Sequence, residues 1–181
     1  MSSSGDGMVE GVKKLSELSD DYLESLLAGD RRRAVTAVVD AVEQGGVDIR
    51  DIYLEVLQTA LHEIGRLWER NEVSVAQEHF ATAVTQLTMS RLYDHLFASD
   101  KHGGVLVATC VSGELHEVGV RMVSDFFELD GWDTFFLGSS VPPEDVVEEV
   151  QRREAGVLAI SATMVHHVAE VQHLIALTRG M

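Results

Sequence analysis

The chain has 181 residues, of which 45% are hydrophobic and 24% are charged, a composition that fits a globular protein rather than a disordered one. Its formal net charge is −16, and a nucleic-acid surface is therefore not expected, because phosphate binding requires a basic face. Cys110 is the single cysteine, which excludes an intramolecular disulfide and a cysteine-built zinc site. A membrane span and a secretory signal are not predicted either, so the cytoplasm is the expected location.

The first 99 positions have apolar residues at helical spacing. This spacing predicts four helices with short links, packed as an antiparallel bundle over residues 16–99, after a disordered tail over residues 1–15. The first helix is expected to be short and to end at Gly29, and the fourth is expected to continue to Leu96. The predicted N-cap residues are Asp30, Asp48 and Ser74, the last in a capping box with Gln77.

Residues 100–181 alternate between strand and helix patterns. The predicted elements are strands Val105–Cys110, Thr134–Leu137 and Val157–Ser161, and helices Glu117–Leu129, Pro142–Arg153 and Val168–Leu177. This βαβαβα order predicts a parallel, doubly wound sheet of the Rossmann or flavodoxin-like kind, with strand order 2-1-3. The predicted fold class is therefore α+α/β, a four-helix bundle followed by a parallel-sheet domain.

The composition of the third predicted strand is unusual for a strand at the edge of a sheet, which is where the order 2-1-3 places it. Its residues Val157 to Ile160 are apolar throughout, which is typical of a strand that is covered on both faces and paired on both sides. We therefore expect the α/β domain to be incomplete, either truncated at its C-terminus or completed by a partner at this edge.

The loop after the first predicted strand contains Glu114, His116 and Gly119. In an open α/β sheet, ligands bind at the carboxyl ends of the strands, where this loop lies. A carboxylate two residues before a histidine can hold the ring by one nitrogen and leave the other nitrogen for a metal. The pattern therefore predicts a metal-ligating histidine.

The Glu114-x-His116-x-x-Gly119 pattern resembles the D/E-x-H-x-x-G motif of cobalamin-binding domains. The resemblance implies that His116 is the lower axial cobalt ligand, that Glu114 orients it, and that Gly119 lets the nucleotide tail of the cofactor pass close to the backbone. Ser161 and Thr163 resemble the S-x-L/T element of the same family, whose serine contacts the base of that tail. A third element of the family, Gly-Gly after a fourth strand, is missing from this sequence.

A second resemblance lies in the predicted bundle. Trp68 is followed, after nine intervening residues, by Glu78 and His79. This spacing is similar to that of CarH-like cobalamin-dependent photoreceptor regulators. The resemblance implies that Trp68 covers the upper face of the corrin, that Glu78 contacts the adenosyl group, and that His79 ligates cobalt after photolysis.

Three hypotheses follow, and none of them makes the chain an enzyme. The first is a light-responsive regulator that binds adenosylcobalamin and acts through a regulatory protein partner or self-association, including a homo-oligomer, without direct nucleic-acid binding. The second is a corrinoid carrier that uses methylcobalamin in a methyltransferase system. The third is a scaffold without cofactor. Either His166 or His167 is expected at most to line the groove for the cofactor tail.

Overall fold

The computed structural model describes residues 4–96 and 100–180, and side chains from Lys14 onward. The chain divides into two compact units, one that ends at His95 and one that begins at Leu96. Within the described residues, no helix has the length and apolar character needed to cross a membrane.

The first unit is helical. Its α-helices are α1 (Ser4–Leu27), α2 (Arg31–Glu43), α3 (Ile49–Asp51), α4 (Thr59–Glu69) and α5 (Val75–Arg91), followed by a 3₁₀ turn over Tyr93–His95. The predicted caps are confirmed: the carboxylates of Asp30 and Asp48 accept backbone N–H bonds at the starts of α2 and α3. Ser74 and Gln77 form both bonds of the capping box that begins α5.

Helix α1 corrects two predictions. It begins at Ser4, so residues 4–15 are helical rather than a disordered tail, whereas residues 1–3 lie outside the described residues. It is also longer than the short helix that was expected. The physical reason is in the sequence: Met8, Val12 and Leu15 continue the apolar spacing that leads to Tyr22.

The third predicted helix contains a π-helical stretch over Ile52–Gln58 that links α3 to α4. The Thr59 hydroxyl donates to the Leu54 carbonyl over 3.2 Å, a bond that spans the widened turn. The wider turns place Ile52, Tyr53, Val56 and Leu57 in the core together. The fourth helix ends at Arg91 rather than at Leu96, because the chain tightens there into the 3₁₀ turn.

Tyr22 of α1 connects α1 to α5 by side-chain hydrogen bonds in the helical core. Its side chain is fully buried, and its hydroxyl lies 3.1 Å from Thr85 Oγ1 and 3.4 Å from Thr88 Oγ1 of α5. Burial raises the pKa of this phenol, and the two threonine bonds oppose that rise only in part. The pairing satisfies the buried Tyr22 hydroxyl, while Thr85 and Thr88 donate to carbonyl groups of their own helix.

The second unit contains strands β1 (Val105–Cys110), β2 (Asp133–Gly138) and β3 (Val157–Ser161), and helices α6 (Val118–Leu129), α7 (Pro143–Arg152) and α8 (Val168–Arg179). The three strands are parallel in the order β2-β1-β3, which confirms the predicted topology. The core forms around Leu106, Ala108, Cys110 and Val120, with Phe127, Trp132, Phe136, Val157 and Ala159 packed against it.

Strand β3 lies at the edge of this sheet, and all five of its residues are only partly buried. The expectation that the domain is incomplete stays a prediction, and within the described residues β3 is neither fully covered nor paired on both sides. The apolar residues of β3 pair on one side with β1, which is buried from Leu106 to Cys110, and Ala108 lies opposite Ala159. Cys110, at the end of β1, is buried as predicted.

Candidate functional site in the loop after the first strand

The loop from β1 to α6 separates a buried carboxylate from an exposed imidazole. Gly113 adopts φ +81°, a left-handed conformation that turns the chain at the end of β1. The next residue, Glu114, is fully buried, whereas the side chain of His116 is 63% exposed. The loop therefore presents a histidine to the surface from a buried acidic anchor.

One carboxylate oxygen of Glu114 contacts both the backbone N–H and the imidazole ring of His116. Its Oε1 accepts a bond from the His116 backbone N–H at 2.9 Å and lies 2.5 Å from His116 Nδ1. With Nδ1 directed to the carboxylate, Nε2 is the ring nitrogen that remains for a ligand. The structure thus has the carboxylate–histidine arrangement that the spacing predicted.

The second oxygen of Glu114 reaches the end of β3. Glu114 Oε2 accepts the backbone N–H of Thr163 at 2.6 Å and lies 3.1 Å from His167 Nδ1. Glu114 therefore joins the loops that follow β1 and β3, two neighbouring strands of the sheet. Thr163 takes part through its backbone, and its side chain is exposed.

His167 was expected, like His166, at most to line the groove for the cofactor tail, and its contact with Glu114 was not predicted. It is buried, whereas its neighbour His166 is exposed, and the two rings meet edge to face with centroids 4.2 Å apart. His167 ends a 3₁₀ turn over Val165–His167 that leads into α8. A histidine directly before a helix at the ligand edge is the signal that could have indicated it.

The Glu114 carboxylate is ionised in this setting. Burial by itself raises the pKa of a carboxyl group, but here the backbone N–H groups of His116 and Thr163, followed by the two histidine rings, lower it well below its usual range. A carboxylate that is charged at neutral pH favours a proton on Nδ1 of His116. The loop therefore fixes the tautomer as well as the orientation of the ring.

Gly119 lies in the first turn of α6, and a Cβ placed there would meet no atom within 4 Å. Its backbone is not in the left-handed region, so the fold does not require glycine at this position. Ser161 is half-buried at the end of β3, where its carbonyl accepts the backbone N–H of Val111. Gly119, in the helix that follows the His116 loop, therefore has open space where a side chain would stand.

The helical unit contains the second group of predicted site residues. Trp68 is 48% exposed near the end of α4, and Glu78 and His79 lie in the first turns of the neighbouring α5. Glu78 Oε2 lies 2.6 Å from His79 Nδ1, and Thr82 donates to the other carboxylate oxygen at 3.0 Å. The His79 side chain is 74% exposed, so this unit too holds an exposed imidazole by its Nδ1.

Two family models match the chain. Both carry the description "B12 binding domain"; one matches residues 18–93 and the other matches residues 104–181. The chain belongs to the B12-binding domain family. Each unit of this B12-binding protein contains one of the matches, and cobalamin is its cofactor, as the sequence predicted.

Relatives of this B12-binding protein come from two groups. Dimethylamine corrinoid protein 3 of Methanosarcina acetivorans is 27% identical over 130 residues, which are 70% of this chain and 61% of that protein. The HTH-type transcriptional repressor CarH of Myxococcus xanthus is 29% identical over 134 residues, 71% of this chain and 43% of that protein. The chain thus spans less than two thirds of the length of either relative.

The fold has a counterpart among solved structures. The monomethylamine corrinoid protein of Methanosarcina barkeri superposes with a TM-score of 0.79 at 22% sequence identity, covering 91% of this chain and 78% of that chain. This likeness supports the architecture of a helical region followed by a parallel three-stranded sheet, as predicted. The roles of individual site residues stay predictions.

Proposed function

We propose that this B12-binding protein is a corrinoid carrier that holds cobalamin through His116 and passes a methyl group between separate methyltransferase proteins. The observation that carries the proposal is the buried Glu114 carboxylate, which fixes His116 by Nδ1 and leaves Nε2 on an exposed side chain. The relatives named as corrinoid proteins favour methyl carriage over light sensing.

The donor set fits a corrin better than a bare metal ion. A bare ion such as zinc takes three or four protein ligands, and within the described ranges 4–96 and 100–180 no group of three or more metal-binding side chains converges. A corrin supplies its own four ring nitrogens, so one imidazole completes the lower face. When bound, cobalamin supplies a cobalt centre that accepts and releases a methyl group.

The residues of the chain have separate tasks in this proposal. His116 provides the lower nitrogen ligand, and Glu114 holds its ring and its tautomer. Gly119 and Ser161 are the proposed contacts of the nucleotide tail, and Thr163 anchors Glu114 from the second loop through its backbone N–H. Such outer partners of a metal-bound histidine tune ligand basicity and metal affinity.

In this proposal the chain is not itself an enzyme. Several relatives are named as corrinoid proteins, and in this proposal partner proteins bind the methyl donor and the methyl acceptor. We expect methylcobalamin to be the working form of the cofactor, and adenosylcobalamin to bind through the same lower ligand.

The test is to add cobalamin in its Co(II) form to protein that carries histidine labelled with the heavy nitrogen isotope. Ligation by a protein histidine changes the nitrogen splitting of the electron paramagnetic resonance spectrum when the isotope changes. We expect this change in the wild type and its loss in His116→Ala, with His173→Ala as an exposed-histidine control. An isotope effect that persists in His116→Ala would contradict the proposed ligand.

A second candidate function is a light-responsive regulator that uses adenosylcobalamin. It is supported by the exposed Trp68, by the Glu78–His79 pair at 2.6 Å, and by the similarity to the CarH repressor. Illumination of the adenosylcobalamin complex separates the two functions. A photoproduct whose visible spectrum changes in His79→Ala supports the regulator, whereas identical spectra for wild type and His79→Ala support the carrier.

A further inference from the structure

We propose that a basic groove on the helical unit binds a carboxylate-rich segment of a partner protein. The groove has a volume of about 380 Å³ and is lined by Arg31, Arg32, Val35, Thr36, Leu87 and Arg91. We call it the arginine groove. It goes beyond the proposed cofactor chemistry and does not depend on it.

The groove arises from helical spacing on two packed helices. Helix α2 contributes two i,i+4 pairs, Arg31 with Val35 and Arg32 with Thr36, and α5 contributes Leu87 with Arg91. Residues four apart lie on one face of a helix, so α2 contributes two arginines and two smaller side chains to the groove, and α5 contributes one of each.

The charge of these arginines is not neutralised by the fold. Among the described residues, no ion pair or side-chain hydrogen bond is recorded for Arg31, Arg32 or Arg91. The adjacent Arg33 shows the contrast, since its guanidinium pairs with Asp21 and with Glu24, the latter at 2.7 Å. Three neighbouring guanidinium groups without a partner repel one another, and an anionic occupant would remove that repulsion.

The occupant is best matched by a protein segment. Three cations do not form the extended basic face that nucleic-acid binding uses, but they are enough for a short segment with a few carboxylates. Leu87 is 40% exposed and Val35 is half-buried in the groove. Apolar side chains that lie between the carboxylates of the partner segment can pack against these two residues. Arginine pairs with carboxylates through two parallel bonds, which adds specificity.

The experiment uses the full chain and a fluorescent peptide that alternates glutamate with leucine, read by polarisation at low and high salt. We expect saturable binding that weakens with salt, and a loss of at least about tenfold in affinity for Arg91→Gln, since a charge-assisted pair contributes about that factor. The matched control is Arg179→Gln, because Arg179 ends α8 as Arg91 ends α5, and it lies outside the groove.

A stability measurement distinguishes docking from a structural role. If Arg91 serves a partner, Arg91→Gln unfolds at the same temperature as the wild type or higher, as Arg179→Gln does. A lower unfolding temperature for Arg91→Gln alone would overturn the proposal. Binding of a glutamine-for-glutamate peptide with equal affinity, or tighter binding of a thymidine oligonucleotide at the groove, would overturn it too. None of these results depends on whether cobalamin binds through His116.

Discussion

Glu114 Oε1 lies 2.5 Å from His116 Nδ1, and the same carboxylate reaches His167 through its other oxygen. One fully buried charge thus orients an exposed imidazole and joins the loops after β1 and β3. The relationship makes Glu114 the residue whose removal should affect cofactor binding most without touching the cofactor.

We expect Glu114→Gln to weaken cobalamin binding by roughly 10- to 100-fold, the usual effect of losing the outer partner of a metal-bound histidine. The amide is similar in shape, but its neutral oxygen holds the Nδ1 proton less firmly. Titration of the visible spectrum with methylcobalamin measures the dissociation constant. Glu144→Gln, an exposed glutamate in the first turn of α7, is the control, and equal affinity for both variants would contradict the assigned role.

Acid should destabilise the wild type through the same carboxyl group. Its pKa is depressed in the folded protein relative to the ordinary value of 4.5, so the folded state binds the proton less well than the unfolded state. The stabilisation is fully present above that ordinary value and is lost as pH falls below it. Urea unfolding at a series of pH values should show a steeper acid loss for the wild type than for Glu114→Gln.

Gly119→Val should separate folding from binding. Valine fits the open space and has a better helix propensity than glycine, so the free energy of unfolding should not fall. If the cofactor lies close to this position, the valine side chain would weaken cobalamin binding by about 1–3 kcal/mol. Gly156→Val, at another position with no atom within 4 Å of a Cβ, should leave cobalamin affinity unchanged. Equal affinity for both variants would mean that Gly119 does not face the cofactor.

Cys110 should be inert toward alkylation in the folded protein. Burial, followed by the negative charges of Glu114 and Glu117, raises the pKa of its thiol to about 11, so the thiolate is scarce at neutral pH. We expect iodoacetamide to leave the native protein unmodified and to label it fully in guanidinium chloride, as mass spectrometry would show. Because the pKa is raised, the stabilisation from this thiol is lost as pH rises between 9.0 and about 11.

Tyr22→Phe should cost about 1 kcal/mol of unfolding free energy, because it leaves the hydroxyls of Thr85 and Thr88 without their tyrosine partner. Denaturant unfolding monitored by circular dichroism measures the change. A double-mutant cycle with Thr85→Val then isolates the pair, and additive effects of the two substitutions would show that the 3.1 Å contact contributes no coupling.

The element order of this B12-binding protein was available from the sequence because it depends on local patterns. The strands β1 and β3 have the predicted bounds, and Ser74 with Gln77 caps α5 as predicted. The π-helical stretch over Ile52–Gln58 was not available, since it depends on how a widened turn packs four side chains into one core.

In the candidate site, too, some contacts were predicted from the sequence and others depend on the tertiary structure. The spacing of Glu114 and His116 predicted their pairing, because residues two apart in one loop can contact each other without a distant segment between them. The contact of Glu114 with His167 joins residues 53 positions apart, and only the pairing of β1 with β3 brings the two loops together. The arginine groove likewise needed α2 packed on α5. Local sequence patterns determined the order of the elements and the Glu114–His116 loop motif, whereas the π-helical stretch and the contacts between distant segments depend on packing that no single segment encodes.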